Sequence, residues 1–204
     1  MPAPVAAAYF HEELSALEPP ADAEDPENYY PPITVVASHE GQVHRATQFR
    51  SVLQRLSGQD VEVAVLSRTM LSPGAREYQP DLVGSVKGRK CILIDDIVST
   101  GTTLVSNVKL LKREGAESIY AWATHGVFAN AQTTDTPDRL QKLDDLEFLL
   151  ISNSINSPWL LPPKVRLLNV APLLAEAIAR ALHDRSISSI LSLEPQNDVE
   201  RYDA

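Results

Sequence analysis

From residue 33 to residue 182, short apolar runs alternate with stretches that are apolar at every third or fourth position. Ile33-Thr-Val-Val-Ala37 is a strand-length run. Ala46, Phe49, Leu53 and Leu56 then recur at helical spacing, and Gly58 supplies a stop. Residues 61–66 predict a second strand and residues 90–94 a third. A helix follows over 102–114, with Leu104, Val108 and Leu111 facing inward and Gly115 closing it. Further strands are expected at 118–123, 147–151 and 165–170. A last helix is expected over about 172–182, with Pro172 in its first turn and apolar Leu173, Leu174, Ile178, Ala181 and Leu182. Residues 67–80 lack a period and contain Pro73-Gly74, which predicts a long exposed loop. Ala-rich residues 4–17 predict a short helix. Strand and helix in alternation predict an α/β domain with a mainly parallel sheet flanked by helices, and residues 91 to 123 have the length of one βαβ unit.

Composition divides the chain. Residues 1–44 carry eight acids and no Lys or Arg, and seven of the 15 prolines fall within residues 1–32. Residues 1–32 therefore read as an acidic, Pro-rich N-terminal segment with a possible short helix, 33–193 as the folded domain and 194–204 as a tail. The net charge of −9 belongs mostly to the first segment, leaving the body near neutral. It has no basic face for nucleic acid and no apolar run that would span a membrane. No basic targeting segment opens the chain. The lone Cys91 suits a reducing compartment, so a cytoplasmic location is expected.

The segment that carries chemistry is Ile92-Leu-Ile-Asp95-Asp96-Ile-Val-Ser99-Thr100-Gly101-Thr102-Thr103-Leu104. Four apolar residues bring the chain to the end of a strand, where α/β sheets bind ligands. Two carboxylates follow, then a hydroxyl-rich turn that opens a helix. Backbone N–H groups of residues 99–103 are placed to meet a phosphate, aided by the helix dipole, and Gly101 permits close approach. Asp95 and Asp96 are acceptor-only groups that suit a ribose diol or a hydrated Mg²⁺. Taken alone, an acid pair at a strand end is an ordinary solvated turn, and Ser-Thr-Gly-Thr an ordinary helix cap. Their combination in register favours a phosphorylated sugar. His11 and His183 have no metal-ligand spacing, and Cys91 reads as core.

Ile94-Asp-Asp-Ile-Val-Ser-Thr-Gly-Thr-Thr103 resembles the phosphoribosyl pyrophosphate loop shared by type I phosphoribosyltransferases and ribose-phosphate pyrophosphokinases. Tyr120-Ala-Trp-Ala-Thr-His-Gly-Val-Phe128 resembles the pyrophosphokinases' Thr-His-Gly strand end. Ala171-Pro-Leu-Leu-Ala-Glu-Ala-Ile-Ala179 and Ser186-Ile-Ser-Ser-Ile190 resemble their C-terminal helix and tail. The chain is thus similar to the C-terminal half of a ribose-phosphate pyrophosphokinase, with a type I phosphoribosyltransferase-like fold. The resemblance implies that Asp95 and Asp96 hold the ribose hydroxyls and Ser99, Thr100, Gly101, Thr102 and Thr103 the 5-phosphate. It implies ribose 5-phosphate or phosphoribosyl pyrophosphate as ligand, Mg²⁺ as cofactor, ATP as pyrophosphoryl donor, and a homo- or hetero-oligomer with synthetase subunits.

The chain departs from that pattern in three ways. It resembles one of two halves, so by itself it should bind ATP poorly. The family's metal-associated Asp is His39 here, within Ser38-His39-Glu40-Gly41-Gln42. The family's catalytic Lys and the Arg two residues on read Arg68 and Met70, with Arg76 nearby in the same loop. Two alternatives stand beside an enzyme: a noncatalytic subunit that regulates or assembles synthetases, and a stand-alone phosphoribosyltransferase.

Overall fold

A computed structural model describes residues 3–22, 25–70, 78–128, 135–156, 160–188 and 190, with the backbone alone described at 68–70 and 78–80. Seven strands form one sheet: β1 (Ile33–Ala37), β2 (Val61–Met70), β3 (Tyr78–Val83), β4 (Lys90–Val98), β5 (Ser118–Gly126), β6 (Leu146–Ser152) and β7 (Val165–Leu168). Their order is β3-β2-β1-β4-β5-β6-β7. All neighbours pair in parallel except β2 and β3. The helices are α1 (Ala3–Ser15), α2 (Val43–Ser57), α3 (Thr102–Arg113), α4 (Thr136–Gln141) and α5 (Ala171–Leu182). Among the described residues no helix is long and apolar enough to cross a membrane.

Period-two alternation divides the central strands between two cores. Ile33, Val35, Ala37, Ile92, Ile94, Tyr120 and Trp122 face α1 and α2. Val36, Cys91, Leu93, Ile119, Ala121 and Ala123 face the other way, toward Leu104, Val108 and Leu111 of α3. Burial pushes the Cys91 thiol up to about 12, so it behaves as a core residue.

The helix expected near the N-terminus forms as α1 and packs into the core it shares with α2. Phe10 is fully buried, with ring centroids 5.4 Å from Phe148, 5.8 Å from Phe49 and 6.3 Å from Tyr120. Arg166 on β7 also meets this helix. Its Nη1 donates to Glu13 Oε2 at 2.8 Å and Tyr9 Oη at 3.1 Å, and the guanidinium lies 3.9 Å from the Phe148 ring centroid.

Residues 67–80 differ from the loop expected there. The chain continues β2 to Met70 and returns as β3, an antiparallel edge strand with Leu66 opposite Leu82 and Arg68 opposite Pro80. Pro80 and polar flanks masked the strand period. A proline is tolerated there because an edge strand can leave one ladder position without a donor. The expected turn at Pro73-Gly74, and Arg76, lie outside the described residues. The short helix α4 had no sequence expectation.

Candidate functional site

β1 and β4 lie side by side, but their connections leave in opposite directions. The chain leaves β1 through α2 toward the β3 edge, and leaves β4 through α3 toward the β7 edge. Such a reversal opens a crevice at the carboxyl ends of the two strands. The Ser38–Gln42 turn enters it from β1 and the Asp95–Thr103 segment from β4. The two are stitched together: Ser38 N–H donates to Ile94 O at 3.1 Å, and Asn107 Nδ2 on α3 donates to Ser38 O at 3.2 Å.

Asp95 Oδ1 accepts the Asp96 backbone N–H at 2.9 Å and Gln42 Nε2 at 3.4 Å. Asp96 Oδ2 accepts Arg45 Nη1 at 3.4 Å, and the same nitrogen donates to Gln42 Oε1 at 2.6 Å. The two carboxyls are driven apart. Burial holds the Asp95 carboxyl above its ordinary range, with the Asp96 charge adding to it, against the lowering by the Asp96 N–H and the Ser38 hydroxyl. Burial opposes ionisation of Asp96 too, but Gln42, Asp95 and Arg45 outweigh it and hold that carboxyl below its ordinary range.

Beyond the acid pair the chain turns at Ser99-Thr100-Gly101 into α3. The backbone N–H groups of Ser99, Thr100 and Gly101 have no partner among the described residues. These three residues, with Asp95, Val98 and Thr103, line a cavity of about 130 Å³. Gly101 sits at φ 70°, a left-handed conformation, and a Cβ there would lie 2.9 Å from Thr136 Cγ2. The brace behind the loop is α4: Thr136 Oγ1 donates to Thr100 O at 3.2 Å and Arg139 Nη1 to the same oxygen at 3.5 Å. Thr102 is exposed, with its N–H turned to Thr100 Oγ1 at 3.4 Å.

Of the remaining candidates, His39 borders this cluster through Gln42, while Glu40 and His125 pair elsewhere. His39 Nδ1 accepts the Gly41 N–H at 3.1 Å, and its Nε2 lies 3.3 Å from Gln42 Nε2. Glu40 is hydrogen-bonded to the Ser67 hydroxyl. His125, at the end of β5, pairs through Nδ1 with Ser154 Oγ at 2.7 Å. The side chains of Arg68 and Met70 lie outside the described ones. Among the described residues no group of three or more His, Cys, Asp or Glu is placed to hold a metal ion.

Sequence reasoning missed Gln42 and Arg45. One signal was available for Arg45. It stands in the first turn of α2, where a cation opposes the helix dipole, so another partner must hold it there.

The Phosphoribosyl synthetase-associated domain family matches this chain over residues 59–192. The ribose-phosphate pyrophosphokinase of Maricaulis maris (strain MCS10) is 35% identical over 160 residues, covering 78% of this chain and 48% of that protein. A putative ribose-phosphate pyrophosphokinase 2 of Streptococcus mutans is 32% identical over 166 residues, covering 81% and 47%. Among solved structures, the phosphoribosylpyrophosphate synthetase of Mycobacterium smegmatis superposes with a TM-score of 0.66 at 27% identity, covering 89% of this chain and 51% of that one. The chain spans about half the length of the curated relatives it matches. With its phosphoribosyltransferase-like α/β fold and its similarity to about half of each ribose-phosphate pyrophosphokinase it matches, the chain belongs to the phosphoribosyl synthetase-associated domain family.

Proposed function

We propose that the crevice between β1 and β4 binds ribose 5-phosphate, or its product phosphoribosyl pyrophosphate, as the sugar-phosphate half of a ribose-phosphate pyrophosphokinase. The carrying observation is the set of unpartnered N–H groups at Ser99, Thr100 and Gly101, which stands at a helix N-terminus on the same cavity as Asp95. Those donors and the helix dipole suit a phosphate dianion. Asp95 and Asp96 then accept from the ribose hydroxyls. In the reaction this implies, the ribose 1-hydroxyl oxygen attacks the β-phosphorus of ATP, the bond from that phosphorus to the α-phosphate oxygen breaks, and AMP leaves. Such transfer depends on positioning and charge stabilisation, and this chain contributes the positioning of the acceptor. The setting is the cytoplasm. Saturable binding of ribose 5-phosphate, competed by phosphoribosyl pyrophosphate, tests the reading. Indifference to both would end it.

The residues present do not fit the Mg²⁺ site that the family resemblance implies. Mg²⁺ takes a near-octahedral oxygen shell. His39 stands where the metal-associated Asp is expected, and its Nδ1 is spent on the Gly41 N–H.

A second reading, in which the chain assembles with synthetase subunits, is favoured by α5. Leu174, Ile178 and Leu182 form a stripe on this helix at 57%, 61% and 76% exposure, and Leu167 on the adjoining edge strand β7 is 54% exposed. An isolated helix of this length is marginal in water, and a contiguous apolar face marks an association surface. The occupant that fits is a full-length pyrophosphokinase subunit, because relatives of this chain carry about as much sequence again beyond the matched part. Mixing the chain with a full-length pyrophosphokinase should give a complex in sedimentation velocity. Leu174→Asp/Ile178→Asp should weaken that complex by about tenfold or more. A complex that ignores both substitutions would remove α5 from the interface.

A further inference from the structure

The positive charge that a metal would bring to the acid pair is already present on the protein. Arg45 reaches it from the first turn of α2. Its Nη1 donates to Gln42 Oε1 at 2.6 Å and Asp96 Oδ2 at 3.4 Å, and Gln42, itself 1% exposed, passes the contact on to Asp95 through Nε2 at 3.4 Å. The buried amide fixes where the guanidinium sits, by a short charge-assisted bond. Arg45 Nε and Nη2 have no partner among the described residues, and the side chain is 39% exposed, so the unused edge of the fork can reach a ligand. One oxygen of each carboxylate and one nitrogen of His39 are meanwhile engaged by protein donors. Asp95 Oδ1 takes two donors, Asp96 Oδ2 takes Arg45, and His39 Nδ1 takes the Gly41 N–H.

We propose that Arg45, positioned by Gln42, is the resident cation of this site, and that the chain binds ribose 5-phosphate without a divalent metal. The inference rests on the sugar-phosphate reading above. It separates this chain from a site in which metal must enter before or with the sugar. Arg45 is here a positioning residue: it offsets one of the two carboxylate charges, so that a phosphorylated sugar meets less repulsion, and it holds the Asp96 carboxylate in place.

The test is calorimetric titration of the full chain with ribose 5-phosphate, in EDTA and in millimolar MgCl₂. It uses the unaltered protein, Arg45→Met and Arg45→Lys, each checked for an unchanged unfolding midpoint. The unaltered chain should give dissociation constants in the two buffers that agree within about twofold. Arg45→Met should bind about tenfold or more weakly in EDTA and recover in MgCl₂, because the lost charge can then come from the metal. Arg45→Lys keeps the cation and should stay metal-indifferent. A metal requirement in the unaltered chain would overturn the proposal. So would Arg45→Met that binds normally in EDTA, or that stays weak in both buffers. Absence of binding by the unaltered chain in both buffers would instead overturn the sugar-phosphate reading on which it stands.

Discussion

Phe10→Ala is expected to lower the free energy of unfolding by about 3–5 kcal/mol. The ring is fully buried, stacked on Phe148 and edge-on to Phe49 and Tyr120, residues that come from β6, α2 and β5. Removing it opens a cavity at the junction of four elements, and rigid strands on one side leave little room for collapse. The contacts that then remain for α1 are those of Ala3, Pro4, Ala6, Ala7 and Leu14, the Tyr9 ring edge-on to Phe148, and the Arg166 bonds to Tyr9 and Glu13. That ion pair is about two-fifths exposed on both sides and adds little by itself. Denaturant unfolding of the full chain measures the effect. A loss below about 1 kcal/mol would mean that α1 is an appendage and not part of the core.

Gly101→Val is expected to weaken ribose 5-phosphate binding by about a hundredfold or more and to cost stability as well. The residue sits at φ 70°, where L side chains lose roughly 1–2 kcal/mol and β-branched ones fare worst. Its Cβ would stand 2.9 Å from Thr136 Cγ2, a methyl on a branched side chain whose hydroxyl is committed to Thr100 O. The loop must therefore change its turn or push α4 away, and either movement redirects the N–H groups of Ser99, Thr100 and residue 101. Gly101→Ala should show the same loss in milder form. Titration alongside unfolding curves separates the two effects. A valine variant that binds normally would show that the loop does not hold the phosphate.

The parts of this molecule legible in its sequence are those encoded locally. β1, β4 and β5 each carry a short, mostly apolar run, and α2 and α3 carry their core positions at helical spacing, so alternation alone gave a parallel α/β sheet. β3 was illegible because its pairing with β2 comes from tertiary context across a turn, and Pro80 reads as a breaker until its edge position is known. Helix α4 is only six residues long and has no amphipathic period to find. The site divides in the same way. Asp95, Asp96 and the loop to Thr103 are contiguous, so their chemistry is visible as a word. Gln42 and Arg45 lie more than fifty residues away and meet the acids only because β1 pairs with β4, Ala37 opposite Ile94. The brace from Thr136 and Arg139 to Thr100 is equally remote. What sequence supplied was the candidate site itself, and what it withheld was the shell that orients it.

The central claim is that the β1–β4 crevice holds a phosphorylated ribose through its acid pair and loop. Calorimetric titration of the full chain with ribose 5-phosphate, beside Asp95→Ala/Asp96→Ala, tests it most directly. Saturable one-site binding is expected, lost by about two orders of magnitude in the double variant while its unfolding midpoint stays near that of the unaltered chain. Equal binding by the two proteins, or none by the unaltered one, would contradict it.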